Sequence, residues 1–345
     1  MTTPRWRHRP PGSNWGEFGP DDEAGRLNLV TPEKVLQGIA EVREGRSFCL
    51  SLPLDYPGGN VLNPRRHPPV RFATLRGEQA NYAFRLAAEN PAWTDVVCDD
   101  KALIHLQYST QWDSLAHVGT EFDADGDGTP EAVFYNGWRA GEHILGPPAE
   151  AGEHGRFEGV EARRLGIERM AERCVQGRAV LIDLFAHHGT ERVAIGYDAL
   201  MRVMEADRVE VETGDMVCLH TGFARELLAM DRRPDPARVN AMCAGLDGRD
   251  EPLLRWITDS GLPVLVADNY AVELVPSRPG EGRHPAMPLH EHCLVKLGVP
   301  LGEIWHLSEL ADHLRAAGRS RFLLTAPPLR LPGAVGSPTT PVATV

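Results

Sequence analysis

The sequence has no long apolar run, no closely spaced cysteine pair and no excess of positive charge. None of its apolar runs approaches the roughly 18 to 20 residues that a membrane-spanning helix needs. The six cysteines are scattered without a C-x-x-C pair, so neither a zinc knuckle nor a disulfide framework is predicted. The formal net charge of −12 argues against nucleic acid and anionic membranes as partners. We therefore expect reduced thiols and a small-molecule substrate.

A secretion signal and a serine-hydrolase motif are also missing. The first residues, MTTPRWRHRPPGSNWG, are basic, but no apolar stretch follows them. We therefore expect no signal peptide and a cytoplasmic protein. No G-x-S-x-G motif occurs in the chain, which counts against a serine hydrolase.

The remaining composition is that of a globular protein. Hydrophobic residues make up 42% and charged residues 24% of the 345 residues, which excludes disordered and fibrous classes. Apolar runs of strand length alternate with amphipathic stretches of helical periodicity, and this alternation predicts an α/β fold. The predicted strands are Ala179–Phe185, Met216–His220, Leu262–Ala267 and Arg321–Thr325, and the predicted helices are Val160–Cys174, Tyr197–Ala206, Glu251–Ser260, His290–Leu297 and Leu307–Ala317.

No linker divides the chain, so we interpret residues 1–345 as a single domain that begins with an N-terminal arm, residues 1–30. Strand-like pieces also precede the alternating part, at Ser47–Leu54 and Leu103–Ser109, with long proline-rich loops between them. Residues 333–345 lack hydrophobic periodicity. We expect them to form a loose C-terminal tail or an arm onto a neighbouring subunit.

The most informative segment for chemistry is Gln107-Tyr-Ser-Thr-Gln-Trp-Asp-Ser-Leu-Ala-His117. If it leaves a strand at Ser109 and runs extended to Asp113, the two-residue period places Gln111 and Asp113 on one side. Together with His117 they could hold a metal or position a water molecule, and the histidine could act as a general base. The alternative is that Asp113 caps a helix and that His117 is a buried, hydrogen-bonded core residue.

A second polar segment, Arg283-His-Pro-Ala-Met-Pro-Leu-His-Glu-His292, leads into a predicted helix. His290, Glu291 and His292 are consecutive, so at most one or two of them can reach a common site from a helix. Glu303 follows a glycine in a predicted turn and would by default be a surface carboxylate.

The chain resembles the cyclase family, which includes bacterial kynurenine formamidase and isatin hydrolase. The family signature H-x-G-T-H-x-D-x-P-x-H matches residues 107–117 in register, with Thr110, Asp113 and His117 retained and with Gln107 and Gln111 in place of two histidines. The similarity extends over most of the chain and is strongest to the longer members. It includes Asn14-Trp-Gly-Glu-Phe-Gly-Pro-Asp-Asp-Glu-Ala-Gly-Arg-Leu-Asn28, Tyr135-Asn-Gly137, Gly214-Asp215, His220-Thr-Gly222, Asp268-Asn269, Glu273 and the block from Pro288 to Glu303.

The resemblance implies a swivelling β/β/α fold, a homodimer or homotetramer, and a bound divalent metal. In the family, the signature histidines and aspartate bind the ion together with a later histidine and glutamate. These later ligands correspond to His290 and Glu303, with Glu291 or His292 as the alternative register. The last signature histidine, here His117, moves protons. The implied ligand set is Gln111, Asp113, His290 and Glu303, with Gln107 and His292 as additional candidates.

The two glutamines alter the metal chemistry that the resemblance implies. A neutral amide oxygen is a weak zinc ligand, whereas sites rich in oxygen favour manganese, magnesium or calcium. We therefore predict manganese or zinc, and an empty site is the alternative.

These inferences lead to the hypothesis of a metal-assisted hydrolase of the arylformamidase type. Its substrate would be a small formamide, cyclic amide or lactone, and we expect it to be aromatic. His117 would transfer the proton as general acid and base, and Asp113 would bind the ion or orient the water. Trp112 is a further candidate for stacking on an aromatic substrate. The alternative hypothesis is a metal-free family member that binds or isomerises a small ligand in the same pocket.

Overall fold

A nine-stranded mixed sheet organises the computed structural model, which describes residues 5–147 and 159–345. In chain order the strands are β1 (Ser47–Cys49), β2 (Gln111–Asp113), β3 (Gln176–Asp183), β4 (Met216–His220), β5 (Leu265–Ala267), β6 (Leu301–Glu303), β7 (Arg321–Thr325), β8 (Gly336–Pro338) and β9 (Val342–Thr344). Across the sheet their order is β1-β9-β7-β3-β4-β5-β6-β2-β8. The strands β3, β4, β5 and β6 run parallel, and the other neighbouring pairs are antiparallel.

Both faces of the central strands are buried, which explains why their sequences are apolar almost throughout. In β3, Val180 and Ile182 belong to one hydrophobic cluster, whereas Ala179 and Leu181 belong to another. Successive side chains of a strand point to opposite faces, so the two clusters lie on opposite sides of the sheet. The predicted bounds of β4 and β7 are confirmed, and so is the α/β fold class.

Nine α-helices are present among the described residues, and the longer ones cover the sheet. Helices α4 (Tyr197–Asp207) and α7 (Glu251–Ser260) pack in the same hydrophobic cluster as Val180. Helix α9 (Ser308–Ala316) packs in the cluster of Leu181 on the other face. Within residues 5–147 and 159–345 no helix is long and apolar enough to cross a membrane. The helices are α1 (Pro32–Ala40), α2 (Ile167–Glu172), α3 (Leu184–His188), α4 (Tyr197–Asp207), α5 (Phe223–Ala229), α6 (Pro236–Val239), α7 (Glu251–Ser260), α8 (Pro288–His290) and α9 (Ser308–Ala316); α8 continues as a π-helix, Glu291–Leu297, and 3₁₀ turns span Gly25–Leu29, Leu86–Ala88 and Tyr135–Gly137.

In the part of the chain that the structure describes, six two-stranded ladders lie outside the main sheet. Three of them succeed one another in residues 70–103 and form a hairpin arm. The predicted strand Leu103–Ser109 is wrong, because the arm's last strand ends at Leu103 and an irregular segment leads to β2. The pairs are Val70–Ala73 with Asp100–Leu103, Leu75–Arg76 with Gln79–Ala80, Phe84–Arg85 with Val96–Val97, Thr120–Phe122 with Glu131–Val133, Ile144–Leu145 with Glu161–Ala162, and Ala194–Ile195 with Gly245–Leu246.

The predicted helix Val160–Cys174 is also much shorter than expected. A short strand, Glu161–Ala162, occupies its beginning, and Leu165 has a positive φ of 61°. Neither conformation is compatible with a right-handed helix. Only Ile167–Glu172 is helical.

The C-terminal segment is part of the sheet, so the prediction of a loose tail at residues 333–345 was wrong. Strand β9 lies between β1 and β7, and β8 pairs with β2 at the other edge. Ala343 and Val345 are fully buried, and the Val345 amide donates a hydrogen bond to the Arg46 carbonyl. The segment was misjudged because its strands are three residues long, too short for a visible period.

Part of the N-terminal arm holds the π-helix that follows α8. The indole Nε1 of Trp15 donates a hydrogen bond of 2.6 Å to the Val295 carbonyl, and the Asn14 amide donates one of 3.0 Å to the Lys296 carbonyl. Gly25 lies so close to Gly298 that a Cβ atom on Gly25 would be 2.1 Å from the Gly298 carbonyl oxygen. Residues 14–28, which are part of the family resemblance, therefore pack against the region that carries His290.

Candidate metal centre

The adjacent strands β2 and β6 bring three polar side chains together in the interior. Gln111 and Asp113 lie two residues apart on β2 and therefore point to the same face. Glu303 on β6 is the direct partner of Gln111 in the ladder. The Gln111 Nε2 atom donates a hydrogen bond of 2.8 Å to Glu303 Oε2, and all three side chains are buried. The segment is thus a strand, and Asp113 does not cap a helix.

Helix α8 adds His290 to this group. Its Nε2 atom lies 3.3 Å from Glu303 Oε1 and 4.0 Å from Asp113 Oδ2. The potential ligand atoms of Asp113, His290 and Glu303 all lie within 4.8 Å of one another. Two atoms that each lie about 2.1 Å from one ion are at most about 4.2 Å apart. The two measured separations therefore suit a single cation.

Unpaired buried oxygens provide an independent test of whether a cation fits. Neither carboxylate oxygen of Asp113 receives a hydrogen bond from any described residue, and the same holds for Gln111 Oε1. A buried carboxylate without a partner is strongly unfavourable, because it loses its hydration. A divalent cation would satisfy these oxygens. With one imidazole nitrogen, two carboxylates and one amide oxygen, the donor set suits a fairly hard ion such as Mn²⁺.

The ionisation of these groups is strongly perturbed. Burial raises the pKa of Asp113 well above its ordinary value, and the nearby charge of Glu303 raises it further. Burial acts to lower the pKa of His290, but hydrogen bonds to Glu273 and Glu303 outweigh it and raise the pKa to about 10. Burial acts to raise the pKa of Glu303, yet the hydrogen bond with His290 lowers it. A proton on His290 and a cation therefore compete for the same place.

Glu273 fixes the orientation of His290. Its Oε1 atom accepts hydrogen bonds from His290 Nδ1 at 2.8 Å and from the His290 amide at 3.0 Å, and its Oε2 atom accepts one from the Leu289 amide at 3.2 Å. Nε2 of His290 is consequently the atom that faces Asp113 and Glu303. The Glu273 carboxylate also packs against Gly248, where a Cβ atom would lie 2.4 Å from Glu273 Oε2, so this position requires glycine. Glu273 belongs to the shared family pattern, but no sequence spacing links it to His290, so its part in the site was not predicted.

Replacing Glu273 by glutamine should weaken divalent-metal affinity by about 10- to 100-fold, the usual effect of losing a hydrogen-bond partner of a metal-binding histidine. A competition titration against a fluorescent chelator measures this change. Glu291→Gln is a matched control, because Glu291 is adjacent to His290 but contacts Thr120 and Lys296 instead. Equal affinities for the two variants would contradict the orienting role of Glu273.

His117 lies at the edge of the cluster and reaches solvent. Its Nε2 atom is 3.8 Å from Asp113 Oδ1, and its side chain is 19% exposed. Burial of the ring and the charge of His290 lower the pKa of His117 to about 4. The imidazole is therefore neutral near pH 7.

Three other candidates lie outside the cluster. Trp112 projects to the opposite face of β2, where it packs edge-on against Trp305 and is fully buried, so it cannot stack on a substrate. The Nε2 atom of His292 lies 3.0 Å from Thr258 Oγ1, so His290 and not His292 lies with Asp113 and Glu303. Gln107 precedes β2 and lines a neighbouring cavity instead.

A second polar group has the order of a serine-hydrolase triad but lacks access. Ser308 Oγ lies 3.1 Å from His220 Nε2, and His220 Nδ1 lies 2.8 Å from Asp183 Oδ1. The serine and histidine are buried, and the other oxygen of Asp183 accepts a hydrogen bond of 3.0 Å from Arg315 Nε. Because a nucleophilic serine must meet a substrate carbonyl, we assign this group to fastening α9 onto the sheet.

Comparison with known proteins identifies relatives of this architecture. The cyclase family model matches residues 50–274. A crystal structure described as that of a novel cyclase is 29% identical, covers 98% of this chain and 100% of its own, and superposes with a TM-score of 0.73. Isatin hydrolase A from Ralstonia solanacearum is 14% identical over 86% of this chain and 91% of its own, with a TM-score of 0.53. Isatin hydrolase A from Labrenzia aggregata, bound to benzyl benzoate, is 13% identical over 90% of this chain and 97% of its own, also with a TM-score of 0.53. No curated protein matches the chain.

Proposed function

Because the chain belongs to the cyclase family, we propose that it is a metal-assisted hydrolase of small aromatic formamides, cyclic amides or lactones. The observation that carries this proposal is the buried carboxylate of Asp113, which receives no hydrogen bond from any residue that the structure describes and lies 4.0 Å from His290. Isatin hydrolases share the fold, and their activity agrees with the proposal. Arylformamidase is the specific activity that we infer.

Asp113, His290 and Glu303 would hold the ion, manganese or zinc, with Gln111 Oε1 as a fourth donor. When bound, such an ion polarises a substrate carbonyl and lowers the pKa of a water molecule. The carboxylates and the orphaned amide oxygen are buried before an ion arrives, so the donors need little rearrangement. Glu273 keeps His290 Nε2 directed at the same point.

Proton transfer falls to His117 in this proposal. Its neutral imidazole accepts a proton from water as the water oxygen bonds to the substrate carbonyl carbon. The same proton then passes to the leaving nitrogen or oxygen as the acyl bond breaks, so the products are a carboxylic acid and an amine or alcohol. The partial exposure of His117 places it where a substrate can enter.

Metal-free ligand binding is the second candidate, and one observation favours it. Glu303 is already paired with His290 and with the Gln111 amide. These contacts satisfy Glu303 without an ion. They leave Asp113 without a partner, which is why we prefer the hydrolase.

The test combines metal content with turnover. Elemental mass spectrometry of the purified wild type should give about one equivalent of manganese or zinc. A chelator should remove the ion and abolish formanilide hydrolysis, and restoring the ion should restore the activity. Ser308→Ala should retain activity, because the Ser308 hydroxyl is buried against His220 and cannot reach a substrate. A wild type that stays metal-free and inactive with added manganese, zinc or magnesium, yet gains thermal stability with ligand, would establish the second candidate.

A further inference from the structure

Arg66 lies in the wall of a cavity beside the candidate metal centre. Its Nη1 atom donates a hydrogen bond of 2.8 Å to the Gln107 carbonyl, which is a neutral acceptor. In the described ranges 5–147 and 159–345 no carboxylate is within ion-pair distance of its guanidinium. A partly buried guanidinium of this kind keeps most of its five N–H donors for another acceptor.

The loop that carries Arg66 is held in place before any ligand binds. The Arg66 amide donates a hydrogen bond of 3.0 Å to the Asn63 carbonyl, and the buried Asn63 side chain accepts one of 3.1 Å from the Arg65 amide. Further back, the Tyr108 hydroxyl bridges the Gly58 amide and the Gly59 carbonyl. A preformed loop reduces the entropy that ligand binding must overcome.

The cavity of Arg66 adjoins the candidate centre. Ile304, the residue after Glu303, lines the same cavity, and so does Gln107, which precedes β2. The positive charge of Arg66 acts to lower the pKa values of Asp113 and Glu303. Arg66 therefore lies on the side of the centre from which this cavity opens.

An apolar wall adjoins this cation. The cavity of Arg66 shares Leu62 and Tyr270 with a second cavity, which extends to Phe223 and Met242. Asn269 lines the second cavity, and its Oδ1 atom is buried without a hydrogen-bond donor from any residue of the described ranges. The surface beside the centre therefore offers an apolar ring a place to lie and an anion a fixed partner.

Given the proposed function, on which this inference rests, we propose that Arg66 binds a carboxylate on the substrate and selects small aromatic amides or lactones that carry an acidic group. The rival explanation is that Arg66 merely offsets the negative charge of Asp113 and Glu303. In that case its loss would affect metal binding and every substrate equally.

The experiment compares Arg66→Ala with Arg65→Ala, the adjacent and exposed arginine, in metal-loaded full-length protein. Hydrolysis of 4-formamidobenzoate is measured beside that of formanilide, its neutral counterpart. We expect Arg66→Ala to raise KM for the benzoate by about 10- to 100-fold, the usual effect of losing a hydrogen bond to a charged group. KM for formanilide, kcat for both substrates and metal content should change little. Arg65→Ala should behave as the wild type.

Binding of 4-aminobenzoate and 4-aminobenzamide, measured by isothermal titration calorimetry, separates this inference from the proposed function. Tighter binding of the benzoate by the wild type, lost in Arg66→Ala and retained in Arg65→Ala, supports the anion site even if no formamide is hydrolysed. Equal binding of the two compounds by the wild type overturns it, and so does equal weakening for both compounds in Arg66→Ala. A loss of metal in Arg66→Ala would establish the rival explanation.

Discussion

Replacing Asp113 by asparagine should remove the bound metal and reduce kcat/KM by at least about a thousandfold, because several kcal/mol of metal-ion catalysis would be lost. The asparagine retains the shape of the side chain but not its charge. The substitution should not lower the stability of the metal-free protein. The buried Asp113 carboxylate receives no hydrogen bond from the described residues, so the chelator-treated variant should unfold no more easily than the chelator-treated wild type.

The control for this variant comes from the acidic turn Asp123-Ala-Asp-Gly-Asp-Gly128. Its three aspartates accept hydrogen bonds from nearby amides, and together they form the other cluster with metal-ligand spacing among the described residues. Asp125→Asn should therefore retain metal and activity. If elemental analysis shows the ion lost from Asp125→Asn and retained in Asp113→Asn, the ion belongs to the turn and the proposed centre is wrong.

His117→Gln should lower kcat by about 10²- to 10⁴-fold, the range expected when a general acid and base is removed. Metal content should not change, because His117 lies 3.8 Å from Asp113 and outside the group of three ligands. Single-turnover kinetics with formanilide measure the chemical step directly. They separate this variant from Asp113→Asn, which should lose both metal and activity.

The exposed His284 provides the comparison for this loss. His284→Gln should have the kcat of the wild type, since it removes an imidazole at a distance from Asp113. A His117→Gln variant that keeps more than a tenth of the wild-type kcat, with its metal bound, would assign proton transfer to another group.

The sequence predicted best those elements whose own residues determine them. Helix α7 has its predicted bounds because Asp250 caps its first turn and Gly261, with a positive φ of 69°, ends it. Strand β4 is apolar up to its last residue, His220, because both of its faces are buried. The shared face of Gln111 and Asp113 followed from the two-residue period of extended backbone alone.

The rest of the site depends on contacts between distant segments. The choice of His290 over His292 follows from where α8 begins and from the π-helix after it, whose looser winding has no simple sequence pattern. The role of Glu273 appears only when the loop that follows β5 meets the start of α8, where Glu273 accepts hydrogen bonds from Leu289 and His290. Trp112 could be excluded from the site only once Trp305 was seen to cover it.

The position of β2 between β6 and β8 has a consequence for the order of folding. Gln111 and its partner Glu303 are 192 residues apart, and bringing such distant segments together costs chain entropy before any contact forms. Pairings of this kind slow folding, whereas the parallel strands β3, β4 and β5 join neighbours along the chain. We therefore expect the centre to be assembled late, when a nascent or partly folded chain would offer a metal ion only isolated ligands. An ion held by this centre would enter a nearly finished protein and would not guide its folding.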